Sequence, residues 1–347
     1  MLGRPRLVEL GSVAGVDSAY EEQTVRIDVH AHFVNERFYD AIQTLPGIKI
    51  RQTEPGASEL RFNNTSYAWR REAWFDPDHC LRDMDAKGID MRLMSLTSPN
   101  VHPFDNAMQI DLARRLNDDI LAYAARRPDR YRATVALPLA DVPAALAELD
   151  RVRGHEMFAG VAMGSSLNKV PLNHKSLEPV WARLDALRCP VIEHPVYPAN
   201  TDGLDEYELP IRVGFMFETT VALTRMIYAG IFERYPNFPY VVAHTGAALL
   251  MLMERLDNGY RIFPDCRRDI TRLPSTFMKQ LYYDSCSYSV DAQMLAHRMV
   301  GADRLMFGTD YPYIAHGDPS HVTQLPISDA DKAMILGGNA ARVFGIT

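Results

Sequence analysis

The chain has 347 residues, 47% of them apolar and 23% charged, with a formal net charge of −7. This is a globular composition long enough for a large core, and its acidic balance excludes an electrostatic nucleic-acid surface or a polybasic membrane patch. The longest apolar runs, such as residues 247–253, are far too short to cross a bilayer.

Residues 1–24 contain no continuous apolar stretch and no cleavage pattern, and are read as an N-terminal extension without a secretory signal. The four cysteines, Cys80, Cys189, Cys266 and Cys286, show no CxxC spacing, which fits a reduced cytoplasmic protein. From residue 25 onward, short apolar runs alternate with amphipathic ones. Strands are expected at 25–32, 90–96, 131–138, 158–164, 189–195, 239–246, 281–286 and 304–310. Helices are expected at 105–128, 141–154, 176–188 and 217–236. Eight strand-like runs, most followed by a helix, predict a parallel (β/α)8 barrel of the TIM type spanning residues 25–347. An open doubly wound sheet is the weaker alternative, because no GxGxxG follows the first strand. Residues 43–75 are polar and punctuated by Pro and Gly. They are expected to form a small β-insertion over the barrel mouth.

The strand ends carry the chemistry. The first run ends in His30-Ala-His32, whose alternating side chains share one face. The fifth ends in His194, the sixth in His244 and the eighth in Asp310. The C-terminal strand ends of a barrel line one mouth, so four imidazoles and a carboxylate aim at one volume. Imidazole and carboxylate donors suit zinc and related divalent ions. Such an ion brings a bound water to a pKa of roughly 7, and a further base, such as His244, can move its proton.

The stretches "IDVHAHF", "EHP", "VAHTGAAL" and "MFGTDYPY" resemble the amidohydrolase-related metal enzymes. They are most similar to the 2-amino-3-carboxymuconate-6-semialdehyde decarboxylase group. "WFDPDHCLRDMDAKGID", "FETTVALTRMIYAGIFERYPNF" and the closing "GNAARVFGI" extend the likeness over residues 25–347. The resemblance implies one catalytic metal per chain, zinc in the first instance with manganese as another divalent option. The ligands would be His30, His32, His194 and Asp310, with His244 as the unligated acid/base. It also implies a homodimer in which Arg255 reaches a substrate carboxylate across the subunit interface. "HPVYP" and "HTGA" depart from the group's pattern and bear on the substrate. A second substrate arginine has no exact match, with Arg70 or Arg71 lying a few residues off. No residue resembles a bridging lysine after strand four, which favours one metal over two.

Around the mouth, His102 is a candidate substrate contact, and Trp69, Trp74 and Tyr197 are candidates for stacking on a flat substrate. Asp284 is read either as a carboxylate behind the ligands or as a cap. His79, His155, His174 and His297 are read as solvent-facing, and His316 and His321 as solvated loop residues. The function expected is non-oxidative decarboxylation of a small unsaturated or aromatic carboxylic acid. The alternative is a hydrolase or hydratase acting on an amide, lactone or carbon–carbon bond. A non-enzymatic metal scaffold would require a fully coordinated ion with no open position.

Overall fold

The computed structural model describes residues 25–314 and 317–346. The N-terminal extension and His316 lie outside the described residues. The chain begins with β1 (Ile27–His32) and α1 (Glu36–Gln43), followed by β2 (Ile48–Glu54), β3 (Ala57–Phe62) and β4 (Thr65–Arg71). Next come α2 (His79–Lys87), β5 (Met91–Ser95), α3 (Asn106–Ala125), β6 (Tyr131–Val135), α4 (Val142–Val152) and β7 (Phe158–Gly164). A two-residue hairpin, β8 (Ser166–Leu167) and β9 (Val170–Pro171), precedes α5 (Glu178–Leu187), β10 (Val191–His194), α6 (Phe215–Tyr228) and α7 (Ile231–Arg234). The chain continues through β11 (Tyr240–Val242), α8 (Met253–Ile262), α9 (Pro274–Met278), β12 (Tyr282–Asp284), α10 (Val290–Val300) and β13 (Leu305–Met306). It closes with α11 (Ser320–Thr323), α12 (Asp329–Ala333) and α13 (Asn339–Phe344).

Eight strands form one parallel sheet in the order β1-β5-β6-β7-β10-β11-β12-β13. The ends meet. Val29 N–H donates to Phe307 O at 2.9 Å, Asp310 N–H to His30 O at 2.8 Å, and His32 N–H to Tyr311 O at 2.8 Å. This is the expected barrel. Ile27, Val29, Leu93, Ile192, Val241 and Met306 form one buried cluster drawn from five of its strands, a grouping possible only inside the barrel. Ala340 of α13 packs against them from the N-terminal side of the strands. A second, larger core lies between sheet and helices and includes Leu116, Trp181 and Leu223. Burying each such aliphatic side chain stabilises the fold by about 1.5–3 kcal/mol.

The helix ends follow their local chemistry. Asp105, Asp141 and Ser289 accept backbone N–H groups at the starts of α3, α4 and α10. Gly88 ends α2 in a left-handed conformation at φ +63. The helix expected over 217–236 is two helices, because Gly230 breaks it at φ +69. The segment between β1 and α2 folds into an antiparallel sheet, β2-β3-β4.

Candidate metal centre

The register of β1 sets the first two histidines. Its pairing with β5 runs Ile27↔Met91 and Asp28↔Arg92, then jumps to Ala31↔Met94 and His32↔Ser95. Val29 and His30 therefore share Leu93 as a partner, which is a bulge. Both turn inward: Val29 packs in the inner cluster, and His30 joins the donor group at the strand ends. Asp28 turns outward to Arg92, whose guanidinium also reaches Cys80 and Asp83 of α2. Sequence alternation had placed no break between Asp28 and His30. Asp28 is itself a residue that sequence reasoning missed. Its carboxylate accepts from His30 N–H at 3.1 Å, from Thr309 N–H at 3.0 Å and from the Thr309 hydroxyl at 2.6 Å. It thereby ties the chain beside His30 to the chain beside Asp310.

His30, His32, His194 and Asp310 each offer a ligand atom, and all four atoms lie within 4.8 Å of one another. The rings of His30, His32 and His194 stand edge to face, with centroids 4.8–5.1 Å apart. Each ring has its other nitrogen engaged. His30 Nδ1 meets Asp284 Oδ2 at 2.5 Å, His32 Nδ1 meets Ser95 Oγ at 3.2 Å, and His194 Nδ1 donates to Pro195 O at 2.8 Å. Such outer partners fix ring orientation and leave Nε2 as the free donor. His30 Nε2 is buried without a hydrogen-bond partner, a costly state unless something binds there. Three Nε2 lone pairs and one carboxylate, converging at the edge of a cavity, fit a divalent cation. Asp284 thus stands behind the candidate ligand His30 rather than capping a helix.

His244 is near this group but not in it. Its ring lies 5.2 Å from that of His30 and 5.5 Å from that of His194. Its Nε2 is 3.9 Å from Asp310 Oδ2. It sits two residues beyond β11 and Asp310 four beyond β13, so neither is inside its strand. Both have left-handed backbone, at φ +55 and +57. Non-glycine residues hold such angles where surrounding contacts impose them, and these cluster at functional sites. The surroundings favour positive charge at His30, which a divalent ion on Nε2 would supply in place of a proton. Burial opposes charge on His30, but the Asp284 carboxylate outweighs it and lifts the imidazole to about 9. His32 and His194 are lowered, first by burial. Burial would raise Asp310, yet the surrounding imidazoles of His244, His32 and His30 hold it well below the usual carboxylate range.

His194, His244 and Asp310 line a cavity of about 550 Å³ walled by Tyr67, Trp69, Trp74, Phe215, Tyr288 and Tyr313. A larger groove of about 790 Å³ touches His32 from the side of α1 and α3, but none of the other three ligand candidates lines it.

The remaining expected residues divide. Trp74 and Arg71 line the cavity, although Arg71 donates to Glu54 at 2.7 Å. Arg70 does not line it: it lies 3.8 Å from Glu36 and over the Phe75 ring. Tyr197 and His102 face an adjoining cleft of about 460 Å³. Tyr197 is held there by Thr65 at 2.6 Å, and His102 is buried and accepts from Gly164 N–H at 3.3 Å. Arg255 is exposed on α8, which starts at Met253 rather than near residue 247, and it does not line the cavity of its own chain. His79 is bonded to Tyr311 OH at 2.7 Å, and His321 is buried against Ser285 at 2.8 Å, so neither is simply solvated. Sequence reasoning missed Arg212, Tyr67, Tyr288 and Tyr313, which line the cavity from loops and the inserted sheet. No spacing marked them, because loop geometry brings them in.

Comparison with known proteins points the same way. An amidohydrolase family model (Amidohydro_2) matches residues 27–346. The gamma-resorcylate decarboxylase of Rhizobium radiobacter is 31% identical over 284 residues, covering 77% of this chain and 86% of that protein. The 2-amino-3-carboxymuconate-6-semialdehyde decarboxylase of Dictyostelium discoideum is 27% identical over 278 residues, covering 78% and 77%. The crystal structure of 5-carboxyvanillate decarboxylase from Sphingomonas paucimobilis superposes with a TM-score of 0.82 at 25% identity, over 93% of this chain and 100% of that one.

Proposed function

The chain belongs to the amidohydrolase family, and from that premise we propose that it is a metal-dependent carboxy-lyase removing carbon dioxide from a small aromatic or unsaturated carboxylic acid. The observation that carries this reading is the convergence of His30, His32, His194 and Asp310 at the floor of an aromatic-walled cavity that His194, Asp310 and His244 line. The relatives reported above are named as decarboxylases, which favours carbon dioxide release over the hydrolytic alternative on the same scaffold.

His30, His32, His194 and Asp310 would hold one divalent ion, zinc in our assignment with manganese the other ion this donor set suits. When bound, that ion supplies Lewis-acid stabilisation of negative charge on substrate oxygen. The protein's own residues do the rest. Asp284, Ser95 and the Pro195 carbonyl keep the three imidazoles aligned. The aromatic walls orient a flat substrate and exclude water. His244 Nε2 is placed to deliver a proton. The bond between the ring carbon and its carboxylate breaks, and carbon dioxide leaves. The electron pair stays on the carbon and takes the proton from His244, which is replaced from solvent. The sum is one carboxylate and one proton giving one arene or alkene and one carbon dioxide.

The active unit in this reading is a homodimer, with Arg255 reaching a partner's substrate. Exposed Phe217 and Val221, one helical turn apart on α6, and exposed Met251 just before α8 support an apolar contact surface there. Residues 25–347 are one catalytic unit with the sheet β2-β3-β4 over its mouth. The four free cysteines support a reducing, cytoplasmic location. No helix among the described residues is long and apolar enough to cross a membrane.

The test is a panel of hydroxybenzoic, dicarboxylic and muconate-like acids with carbon dioxide detection, run on metal-loaded and chelator-treated protein. Carbon dioxide equimolar with decarboxylated product, lost on metal removal and restored by zinc or manganese, is expected. Turnover of esters or lactones without carbon dioxide would overturn the assignment.

A further inference from the structure

We propose that the cleft beside the reaction cavity is a second small-molecule site, which takes a neutral aromatic ring carrying a hydrogen-bond acceptor, such as the arene left when carbon dioxide departs. The site stands on its own geometry, and only the identity of that natural occupant rests on the decarboxylase reading. The cleft holds about 460 Å³. Tyr67 lines both it and the reaction cavity, so a ring held in the cleft touches a wall of the reaction cavity. None of the four ligand candidates lines the cleft.

His102 supplies the polar anchor. It is 2% exposed and lines the cleft. Its ring lies against Gly164, the last residue of β7, where an added Cβ would come within 3.0 Å of His102 Cδ2 and 2.6 Å of Val196 Cγ1. The missing side chain is what admits the imidazole there. Nε2 accepts Gly164 N–H at 3.3 Å. Burial holds the imidazole down to about 3, so the ring is neutral and carries one proton. With Nε2 accepting, that proton is on Nδ1. Nδ1 is buried and has no hydrogen-bond partner among the described residues. A buried N–H left unpaired is costly, and an acceptor oxygen on a ligand removes the cost.

The remaining lining selects a ring without charge. Pro46, Phe62, Pro99, Pro103, Val196 and Pro198 present apolar surface. The Tyr197 hydroxyl is already taken by Thr65 at 2.6 Å. Its ring packs on Phe62 and Tyr67, with centroids 5.8 and 4.9 Å away. Lys169, in the tight turn between β8 and β9, is the one lysine lining the cleft, and it is exposed, so its ammonium keeps its water. An anion entering here would give up hydration for a neutral donor and apolar walls. A neutral ring with a carbonyl, ether or phenol oxygen gives up less and meets the same donor.

Binding to metal-loaded protein, read by calorimetry or ligand-observed NMR, tests this without relying on turnover. The probes are acetophenone, ethylbenzene, which has the same size without the oxygen, and benzoate, which adds a charge. The wild type should bind acetophenone about tenfold tighter than ethylbenzene, the scale of one hydrogen bond to an otherwise unpaired donor. His102→Leu should bring that ratio close to one. Ala199→Trp fills the cleft from an exposed position and should weaken acetophenone tenfold or more, whereas Trp69→Ala, in the reaction cavity, should not. Ala199→Trp keeps the test standing where His102→Leu does not fold. Absence of acetophenone binding, a wild-type ratio of one, a ratio unchanged in His102→Leu, or a loss in Trp69→Ala rather than in Ala199→Trp would overturn the site. Benzoate binding that Ala199→Trp abolishes as fully as acetophenone binding would overturn its choice of a neutral ring. Acetophenone binding that follows His102 and Ala199, with no carbon dioxide released from any acid, would uphold the site and strike the decarboxylase reading alone.

Discussion

His30 and His244 are near neighbours with different surroundings, and that difference makes them separable by experiment. His30 has Asp284 behind it and converges with three other donors. The buried Nδ1 of His244 has no partner, and its Nε2 stands off from Asp310. His30→Ala should lose metal and activity together. His244→Ala should keep about one ion per chain and lose on the order of 10²–10⁴ in turnover. Elemental analysis alongside kcat checks both, and equal metal loss in the two variants would place His244 among the ligands. His102 has a structural role with its own signature. Burial lowers its imidazole to about 3, and its ring accepts from Gly164 N–H. Unfolded, it titrates near 6.5, so below that pH the unfolded chain binds a proton the folded chain refuses. The stability His102 contributes is complete above pH 6.5 and is lost as pH falls toward 3, by at most about 1.4 kcal/mol per pH unit. His102→Gln should flatten the pH dependence of urea unfolding between pH 6.5 and 5. An unchanged slope would show that another group carries it.

At the scale of elements, the centre depends on how closely three strand ends approach. Gly308, just past β13, has no room for a side chain: an added Cβ would lie 2.9 Å from both Cys286 Sγ and His30 Cβ. Gly308→Ala should force β1 and β12 apart at their ends. We expect a stability loss of about 1–3 kcal/mol and reduced metal content, read from urea unfolding and elemental analysis. Normal metal content with an unchanged midpoint would mean that the strand ends are softer than their packing implies. Helix α6 works at the same scale. Its start carries Phe215 to His194, and Thr219 within it donates to buried Glu193 at 3.1 Å, so it braces the last two residues of β10.

For the whole molecule, the barrel leaves an apolar face on α6 and just before α8. Phe217 is 60% exposed, Val221 54% and Met251 71%. The two regions adjoin, since Ala248 N–H donates to Thr220 Oγ1 at 3.1 Å and Tyr228 OH to Leu256 O at 2.8 Å. Arg255 stands exposed on the same helix α8. Sedimentation should give a dimer for the wild type and a monomer for the double variant Phe217→Glu, Met251→Glu. Mixed Arg255→Ala and His244→Ala chains should regain activity that neither has alone. A monomeric wild type would remove Arg255 from substrate binding.

The order of eight strands, the barrel they close and the five residues at or just past their ends are legible in the chain without its fold. These are local properties: apolar runs of strand length, and polar residues placed where each run stops. Tertiary structure decided the rest. The bulge that turns His30 inward comes from pairing with β5, and the left-handed turns at His244 and Asp310 are held by contacts from other strands. Tyr197 and His102 fall in a neighbouring cleft, and Arg212 enters the cavity, because loops and the inserted sheet are fixed by long-range contacts such as Glu208 to Ser66. Those contacts join residues 142 positions apart. No periodicity records them, since a loop's path is set by what it packs against rather than by its own residues.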